Sequence, residues 1–195
     1  MARTSQVKRS TSETQIEVSL NLDGTGIQDI QTPVPFLDHM LAQLARHGYF
    51  DLTVKAKGDT HIDFHHTVED VGIAVGQAFK EALGDKRGIR RFAESSVPLN
   101  EALAQCIVDI SGRAFFVFNL ELPKTKLGEF DVELVPEFFQ AFSANSDMTL
   151  HLNSPYWNNL HHITEALFKA FARALDSACT LDSRSQDVPS TKGTL

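Results

Sequence analysis

Cysteine and long apolar runs are scarce in this chain of 195 residues, and each scarcity excludes a class of protein. With Cys106 and Cys179 alone, a disulfide framework is not expected, and Cys106 in its apolar stretch should be a small buried side chain. No apolar run is long enough to span a bilayer, and the first residues lack the apolar core of a secretory signal. We therefore expect a cytoplasmic protein with no membrane partner.

Basic residues are also in deficit, since 18 Lys and Arg stand against 25 Asp and Glu, for a formal net charge of −7. This balance argues against a nucleic-acid partner. An anionic small molecule is still compatible with the sequence, because the basic cluster Lys86–Arg91 can override the net charge locally. The length fits one domain or two small fused halves, with the composition of an ordinary globular protein.

The most informative pattern is a His-His-x-x-Glu motif that occurs twice, 96 residues apart. The copies are His65-His66-Thr-Val-Glu69 and His161-His162-Ile-Thr-Glu165. Each is followed by an alanine-rich segment whose apolar residues recur at three- and four-residue intervals, as on an amphipathic helix. Asp63 and Asn159 stand two residues before the pairs and are good N-cap residues. Both pairs are therefore predicted to lie in the first turn of a helix.

The similarity between the halves extends upstream of the motifs. A helix beginning at His39 leads to an alternating strand at 50–56, and a helix beginning at Glu137 leads to a strand at 148–152. Strands at 15–22 and 114–120 are predicted to open the two halves, and an extra strand is predicted near 102–110.

This order predicts an α+β fold built by internal duplication of a strand-helix-strand-helix unit, with sheets packed on helices. The first repeat half would be 1–92 and the second 93–181. The segment 182–195 has no periodicity and is predicted to be a C-terminal tail that becomes ordered when something binds it.

The spacing inside the motif favours metal binding. Adjacent residues of a helix point about 100° apart, whereas residues three or four apart share a face. His66 with Glu69, or His65 with Glu69, could therefore chelate one ion, whereas the two adjacent histidines could not easily do so. Two copies would make two mixed imidazole and carboxylate sites, suited to Mn, Fe, Co or Zn. A single copy would more often be a surface or cap feature, and it is the duplication that favours a metal centre.

With these motifs the chain resembles the imidazoleglycerol-phosphate dehydratase family of histidine biosynthesis. The resemblance runs from about Arg9 to the end and includes four further segments: Phe36-Leu-Asp-His-Met, Gly84-Asp-Lys-Arg-Gly-Ile-Arg-Arg-Phe, Asp109-Ile-Ser-Gly-Arg and Pro189-Ser-Thr-Lys-Gly. It implies a hydro-lyase that uses Mn²⁺, with two ions per active site and a small phosphate substrate. It also implies a homo-oligomer of 24 subunits, with active sites between subunits.

The resemblance implies a role for each matching position. The metal ligands would be His39, His65, His66, Glu69, His161, His162 and Glu165. Glu137 stands where many members have a histidine ligand and would be a carboxylate ligand in its place. Glu13 and Glu165 are the candidate catalytic residues. The substrate-binding residues would be Glu13, Gln43, His47, Arg91, Arg113, Lys169, Ser190 and Lys192.

The implied reaction converts D-erythro-imidazoleglycerol phosphate to imidazoleacetol phosphate by loss of water. The C–H proton that is lost is not next to a carbonyl, so an ordinary elimination would be slow. The hypothesis is that the substrate ring, held between two Mn²⁺ ions, becomes a metal-bound imidazolate and expels the adjacent hydroxyl as a diazafulvene forms. Loss of the neighbouring C–H proton then gives an enol and finally the ketone, with Glu13 and Glu165 as acid and base in an undetermined order.

Two other functions are compatible with the same ligands. A dinuclear metallohydrolase could activate water between two ions and cleave a phosphate ester or an amide. A non-catalytic module could use the His pairs to hold subunits together through metal. The Arg and Lys positions beside the motifs favour an enzyme over such a module.

Overall fold

The computed structural model describes residues 2–195, and within them it has four helices and ten strands. The helices are α1 (Pro35–Gly48), α2 (His65–Leu83), α3 (Leu134–Ser146) and α4 (Leu160–Cys179). The strands of the first half are β1 (Thr4–Ser10), β2 (Thr14–Asn21), β3 (Gln28–Gln31) and β4 (Asp51–Gly58). Those of the second half are β5 (Phe92–Leu99), β6 (Ala102–Asp109), β7 (Phe115–Asn119), β8 (Lys126–Leu127), β9 (Phe130–Asp131) and β10 (Thr149–Tyr156).

The two large sheets repeat one topology. Their strand orders are β1-β2-β4-β3 and β5-β6-β10-β7, and each sheet takes its strands from one half of the chain. In both sheets the last pair, β4 with β3 and β10 with β7, is parallel, whereas the other pairs are antiparallel. The predicted α+β fold with internal duplication is confirmed. The boundaries at 92/93 and 181/182 stay predictions.

The register corrects which strands of the two halves correspond. Val18 of β2 pairs with Val54, and Cys106 of β6 pairs with Leu152, so β6 is the counterpart of β2. The predicted match between 15–22 and 114–120 is therefore wrong, because β7 occupies the parallel edge position of β3. The strand near 102–110 is not extra. Alternation of apolar residues identifies a strand, but its partners are chosen by which faces the helices cover.

The helices form the layer against which both sheets bury one face. On β2 the side chains of Ile16, Val18 and Leu20 are buried and alternate with more exposed positions. Helix α2 packs on β1 and β2, α4 packs on β5 and β6, and the helices pair as α1 with α4 and α2 with α3. These pairings bring the N-terminal turns of α2 and α4, which carry the two motifs, against α3 and α1.

Two glycines allow α2 and α3 to approach closely. A Cβ atom at Gly72 would lie 2.7 Å from the carbonyl oxygen of Phe138, and one at Gly76 would lie 2.6 Å from that of Phe142.

We expect Gly72→Val to lower the free energy of unfolding by about 1–3 kcal/mol, because the added atoms overpack the helix contact. Urea unfolding would measure this. Glu81→Val introduces the same side chain at an exposed position of α2 and should change stability by less than about 0.5 kcal/mol. Equal losses in both variants would contradict a packing origin.

None of the helices in residues 2–195 combines the length and the apolar content that crossing a membrane requires. Cys106 and Cys179 are both free and buried, which confirms the prediction for Cys106. Burial raises the pKa of the Cys179 thiol to about 12, so this thiol stays protonated and unreactive.

Candidate active site

The two His-His-x-x-Glu motifs lie in first helical turns, as predicted, but the two helices begin differently. The side-chain oxygen of Asn159 accepts hydrogen bonds from the backbone N–H groups of His161 and His162 at 2.9 and 3.1 Å, so Asn159 is the predicted N-cap of α4. Asp63 accepts one such bond, from the N–H of His65 at 2.8 Å. The N-cap of α2 is Phe64, and the prediction that Asp63 has this role is wrong because the helix begins one residue later.

A compact cluster of imidazole and carboxylate groups joins α1 to α4. One donor atom from each of His39, His161 and Glu165 lies within 4.8 Å of the others. One carboxylate oxygen of Glu165 is 3.2 Å from Nε2 of His39 and 3.1 Å from Nε2 of His161. Its other oxygen accepts a hydrogen bond from Nζ of Lys169 at 2.6 Å. Residues 126 positions apart thus meet with the mixed N and O donors that a divalent transition metal prefers.

Glu165 is held in its ionised form. Burial raises the pKa of its carboxyl group, but the hydrogen bonds from Lys169, His39 and His161 together outweigh burial and lower the pKa to about 2. A carboxylate that is charged throughout the physiological pH range is ready to bind a cation. Within the cluster, Glu165 is therefore the anionic member around which the two imidazoles and the ammonium group are arranged.

The first motif forms a more open counterpart on α2. Nε2 of His65 lies 3.7 Å from the carboxylate of Glu69, one helical turn later, and these side chains are 45% and 46% exposed. This favours pairing of the first histidine with the glutamate four residues on, as in the second motif. Glu137, on α3, lines the same small pocket as His65.

Glu137 occupies in the second half the place that His39 occupies in the first. Each lies ten residues before a left-handed residue that ends its helix, Asp147 for α3 and Tyr49 for α1. The pairing of α1 with α4 is likewise matched by the pairing of α3 with α2. A carboxylate therefore stands where the related cluster has an imidazole, and both are suitable donors to a divalent ion.

The second histidine of each pair is held by a carboxylate that sequence reasoning missed. Nδ1–H of His66 donates to Asp59 at 2.9 Å, and Nδ1–H of His162 donates to Glu101 at 3.0 Å. The hydrogen bond to Asp59 raises the pKa of His66. Neither acid lies in the motifs, and only the tertiary structure brings them to the rings. Glu13 is more distant, with its carboxylate 3.8 Å from Nδ1 of His66.

Gln43 and His47 extend the α1 cluster along the helix. Nε2 of Gln43 is 3.5 Å from Nδ1 of His39, and Nε2 of His47 is 3.1 Å from Oε1 of Gln43. Burial lowers the pKa of His47, and nearby Lys169 lowers it further. The predicted substrate-binding residues Gln43, His47 and Lys169 therefore form one continuous group with Glu165.

The remaining predicted substrate-binding residues form a second group at the C-terminal tail. Arg91, Arg113, Ser190 and Lys192 line one open pocket. Most of the hydrogen-bonding capacity of Arg91 is used within the chain. Its guanidinium group donates to both carboxylate oxygens of Asp109 and, at 2.8 Å, to the carbonyl oxygen of Pro189. In the structure Arg91 thus ties the tail to β6, while Arg113 and Lys192 bring positive charge to the pocket.

Comparison with known proteins gives a consistent result. Residues 32–175 match the family model described as imidazoleglycerol-phosphate dehydratase. Proteins of that name from Geobacter sulfurreducens and Trichlorobacter lovleyi are 60% and 58% identical over 195 residues, covering 100% of both chains. A crystal structure of imidazoleglycerol-phosphate dehydratase from Staphylococcus aureus has a TM-score of 0.83 and 40% identity, covering 92% of this chain and 99% of that one. A crystal structure of IGPD from Pyrococcus furiosus in complex with (S)-C348 has a TM-score of 0.83 and 32% identity, covering 97% and 100%.

Proposed function

Because the chain belongs to the imidazoleglycerol-phosphate dehydratase family, and is thus a dehydratase, we propose that it converts D-erythro-imidazoleglycerol phosphate to imidazoleacetol phosphate in histidine biosynthesis. The observation that carries this proposal is the cluster of His39, His161 and Glu165, with Lys169 beside it. The relatives of this chain are named dehydratases, which favours removal of water over the hydrolysis that the same ligands could also support.

We propose two divalent ions for this site, with Mn²⁺ as the candidate because imidazole and carboxylate ligands both suit it. His39, His161 and Glu165 would contribute to one donor set, and His65, Glu69 and Glu137 to a related one. His66 and His162 would be further metal ligands. Ions held by these residues would supply Lewis-acid charge that lowers the pKa of the N–H group of the substrate imidazole.

The two candidate catalytic glutamates differ in how firmly neighbouring groups hold their carboxylates. Both carboxylate oxygens of Glu165 already contact neighbours, with Lys169 on one and two histidines on the other. Glu165 is therefore suited to hold the metal and to keep its charge. The side chain of Glu13 is 49% exposed and 3.8 Å from His66, so it is free to approach a substrate and to move a proton at the glycerol chain.

The tail pocket is suited to the phosphate group. Arg113 and Lys192 would make charge-assisted hydrogen bonds to phosphate oxygens, and the hydroxyl of Ser190 could add a further donor. Arg91 would act mainly by holding the tail, since its contacts with Asp109 and Pro189 use most of its N–H groups. Anchoring the phosphate would keep the reacting carbon atoms next to the acid and the base.

We also propose that the active site lies between subunits of a homo-oligomer, with 24 subunits as the expected size. Support comes from the exposure of the proposed ligands, since the side chains of His39, His65 and His161 are 44–45% exposed in the single chain. One compact cluster in a chain supplies three donor atoms, whereas Mn²⁺ commonly takes six ligands. A second copy could supply the missing donors.

Removal of metal tests the proposed centre. We expect chelation to abolish formation of imidazoleacetol phosphate, and added Mn²⁺ to restore it, because the ring chemistry requires a Lewis acid. Elemental analysis would confirm the metal content, and light scattering after size-exclusion chromatography would report whether the particle dissociates. An aryl phosphate ester serves as the control substrate and should not be cleaved in either state. Undiminished dehydration by protein shown to hold no metal would exclude the proposed mechanism.

A further inference from the structure

Two glutamates occupy the same position in the two halves of the fold. The paired strands align Val18 with Cys106, 88 residues apart, and the same spacing relates Glu13 to Glu101. Glu13 lies in the turn between β1 and β2, and Glu101 lies in the turn between β5 and β6. Each faces the second histidine of the motif in its own half. Internal duplication has thus placed a carboxylate opposite both His66 and His162.

The two glutamates differ in how closely they engage the histidine. Glu101 lies 3.0 Å from Nδ1 of His162, and its other oxygen accepts the backbone N–H of Asn159 at 2.9 Å, so it is held at the start of α4. Glu13 stays 3.8 Å from His66. In the first half the close contact is made by Asp59 instead.

Asp59 is well placed for that contact. Its side chain is 14% exposed, against 49% for Glu13, and one of its oxygens is buried without a hydrogen-bond partner in the described residues. The hydrogen bond from His66 is therefore the side-chain contact that compensates for burying this carboxylate. Both second histidines thus have an acid on Nδ1, although only Glu101 comes from the duplicated position.

A hydrogen bond from Nδ1–H to a carboxylate sets the tautomer of an imidazole and leaves Nε2 with the lone pair that a metal ion requires. We propose that Glu101 and Asp59 are positioning residues that orient His162 and His66 so that each presents Nε2 to metal. Because Asp59 makes the hydrogen bond to His66, the carboxylate of Glu13 stays available to contact the substrate. This inference rests on the proposed metal centre.

The test compares Mn²⁺ binding by Glu101→Ala and Glu13→Ala, measured by EPR of the free ion after metal depletion of the whole protein. Loss of an acid that orients a ligand typically weakens metal binding about 10–100-fold. We expect Glu101→Ala to show such a loss and to recover most of its kcat at saturating Mn²⁺. Glu13→Ala should bind Mn²⁺ within about threefold of wild type but should keep a low kcat at any Mn²⁺ concentration, as expected for a lost acid or base.

Asp59→Ala should behave like Glu101→Ala, and Glu17→Ala is the matched control, since Glu17 is 61% exposed and pairs with Lys8 alone. If Glu101→Ala does not fold, Glu101→Gln decides the question, because glutamine keeps the size of the side chain but only one of the two accepting oxygens, and it should still lose Mn²⁺ affinity, by less than Glu101→Ala. Wild-type Mn²⁺ affinity in Glu101→Ala or, failing that, in Glu101→Gln would overturn the positioning role, whatever the value of kcat. Absence of Mn²⁺ binding by the wild-type protein would overturn the metal centre itself, and this role with it.

Discussion

Replacing Glu165 with glutamine is expected to lower kcat by about 10³-fold or more, which is within the range for loss of a catalytic acid–base or ligand group. The carboxylate contacts His39 and His161 through one oxygen and Lys169 through the other. Glutamine would keep the size of the side chain but would remove the negative charge from the centre of the cluster. The ammonium group of Lys169 would then lack its counter-ion where a metal cation is proposed to bind.

Steady-state dehydration of imidazoleglycerol phosphate would measure this loss at saturating Mn²⁺. Glu17→Gln is the matched control, because it removes one exposed carboxylate of β2 and should leave kcat unchanged. Thermal unfolding should differ little between the two variants, which separates a chemical defect from a folding defect. A Glu165→Gln protein with wild-type kcat would eliminate any catalytic or ligand role for this residue.

Truncation of Phe139 to alanine is expected to lower the free energy of unfolding by about 3–5 kcal/mol. Phe139 is fully buried, and its ring lies 4.7 Å from that of Phe168 and 5.2 Å from that of Phe171. The substitution would leave a cavity between α3 and α4 that rigid helix contacts cannot close. Because Glu137 is two residues away on the same helix, we also expect weaker Mn²⁺ binding.

Urea unfolding at fixed protein concentration would measure the effect, since an oligomer has a concentration-dependent stability. Phe115→Ala deletes the same atoms from a side chain that is 63% exposed in the single chain, and it should cost less than about 0.5 kcal/mol. A loss below about 1 kcal/mol for Phe139→Ala would show that the packing of Phe139 against Phe168 and Phe171 is not central to the core.

Local patterns predicted those parts of the fold that depend on a few neighbouring residues. The N-cap role of Asn159 follows from a side chain that can reach backbone N–H groups two and three residues later. The buried face of β2 follows from strict alternation of apolar residues. β1 was not predicted, because Val7 is its only buried side chain and a polar edge strand has no alternating pattern of apolar residues.

Several residues of the candidate site were predictable, but their arrangement was not. The duplicated motif and the family resemblance together supplied His39, His65, His161 and Glu165 without any coordinates. The division of the substrate-binding residues into a group around Glu165 and a group around the tail was not predictable. Arg91 shows the reason, since the family resemblance implies that it binds substrate, whereas its contacts with Asp109 and Pro189 depend on segments distant in the chain.

The sequence by itself determined that two helices each begin with a pair of histidines and a glutamate one turn later, because helical periodicity is a local property. It also determined the family. Only the tertiary structure decided that His39 meets Glu165 and that Glu101 and Asp59 hold the second histidines, since residues 126, 61 and 7 positions apart meet through helix packing and turn geometry. Those contacts depend on which apolar faces bury each other, and that choice is made by the whole chain at once.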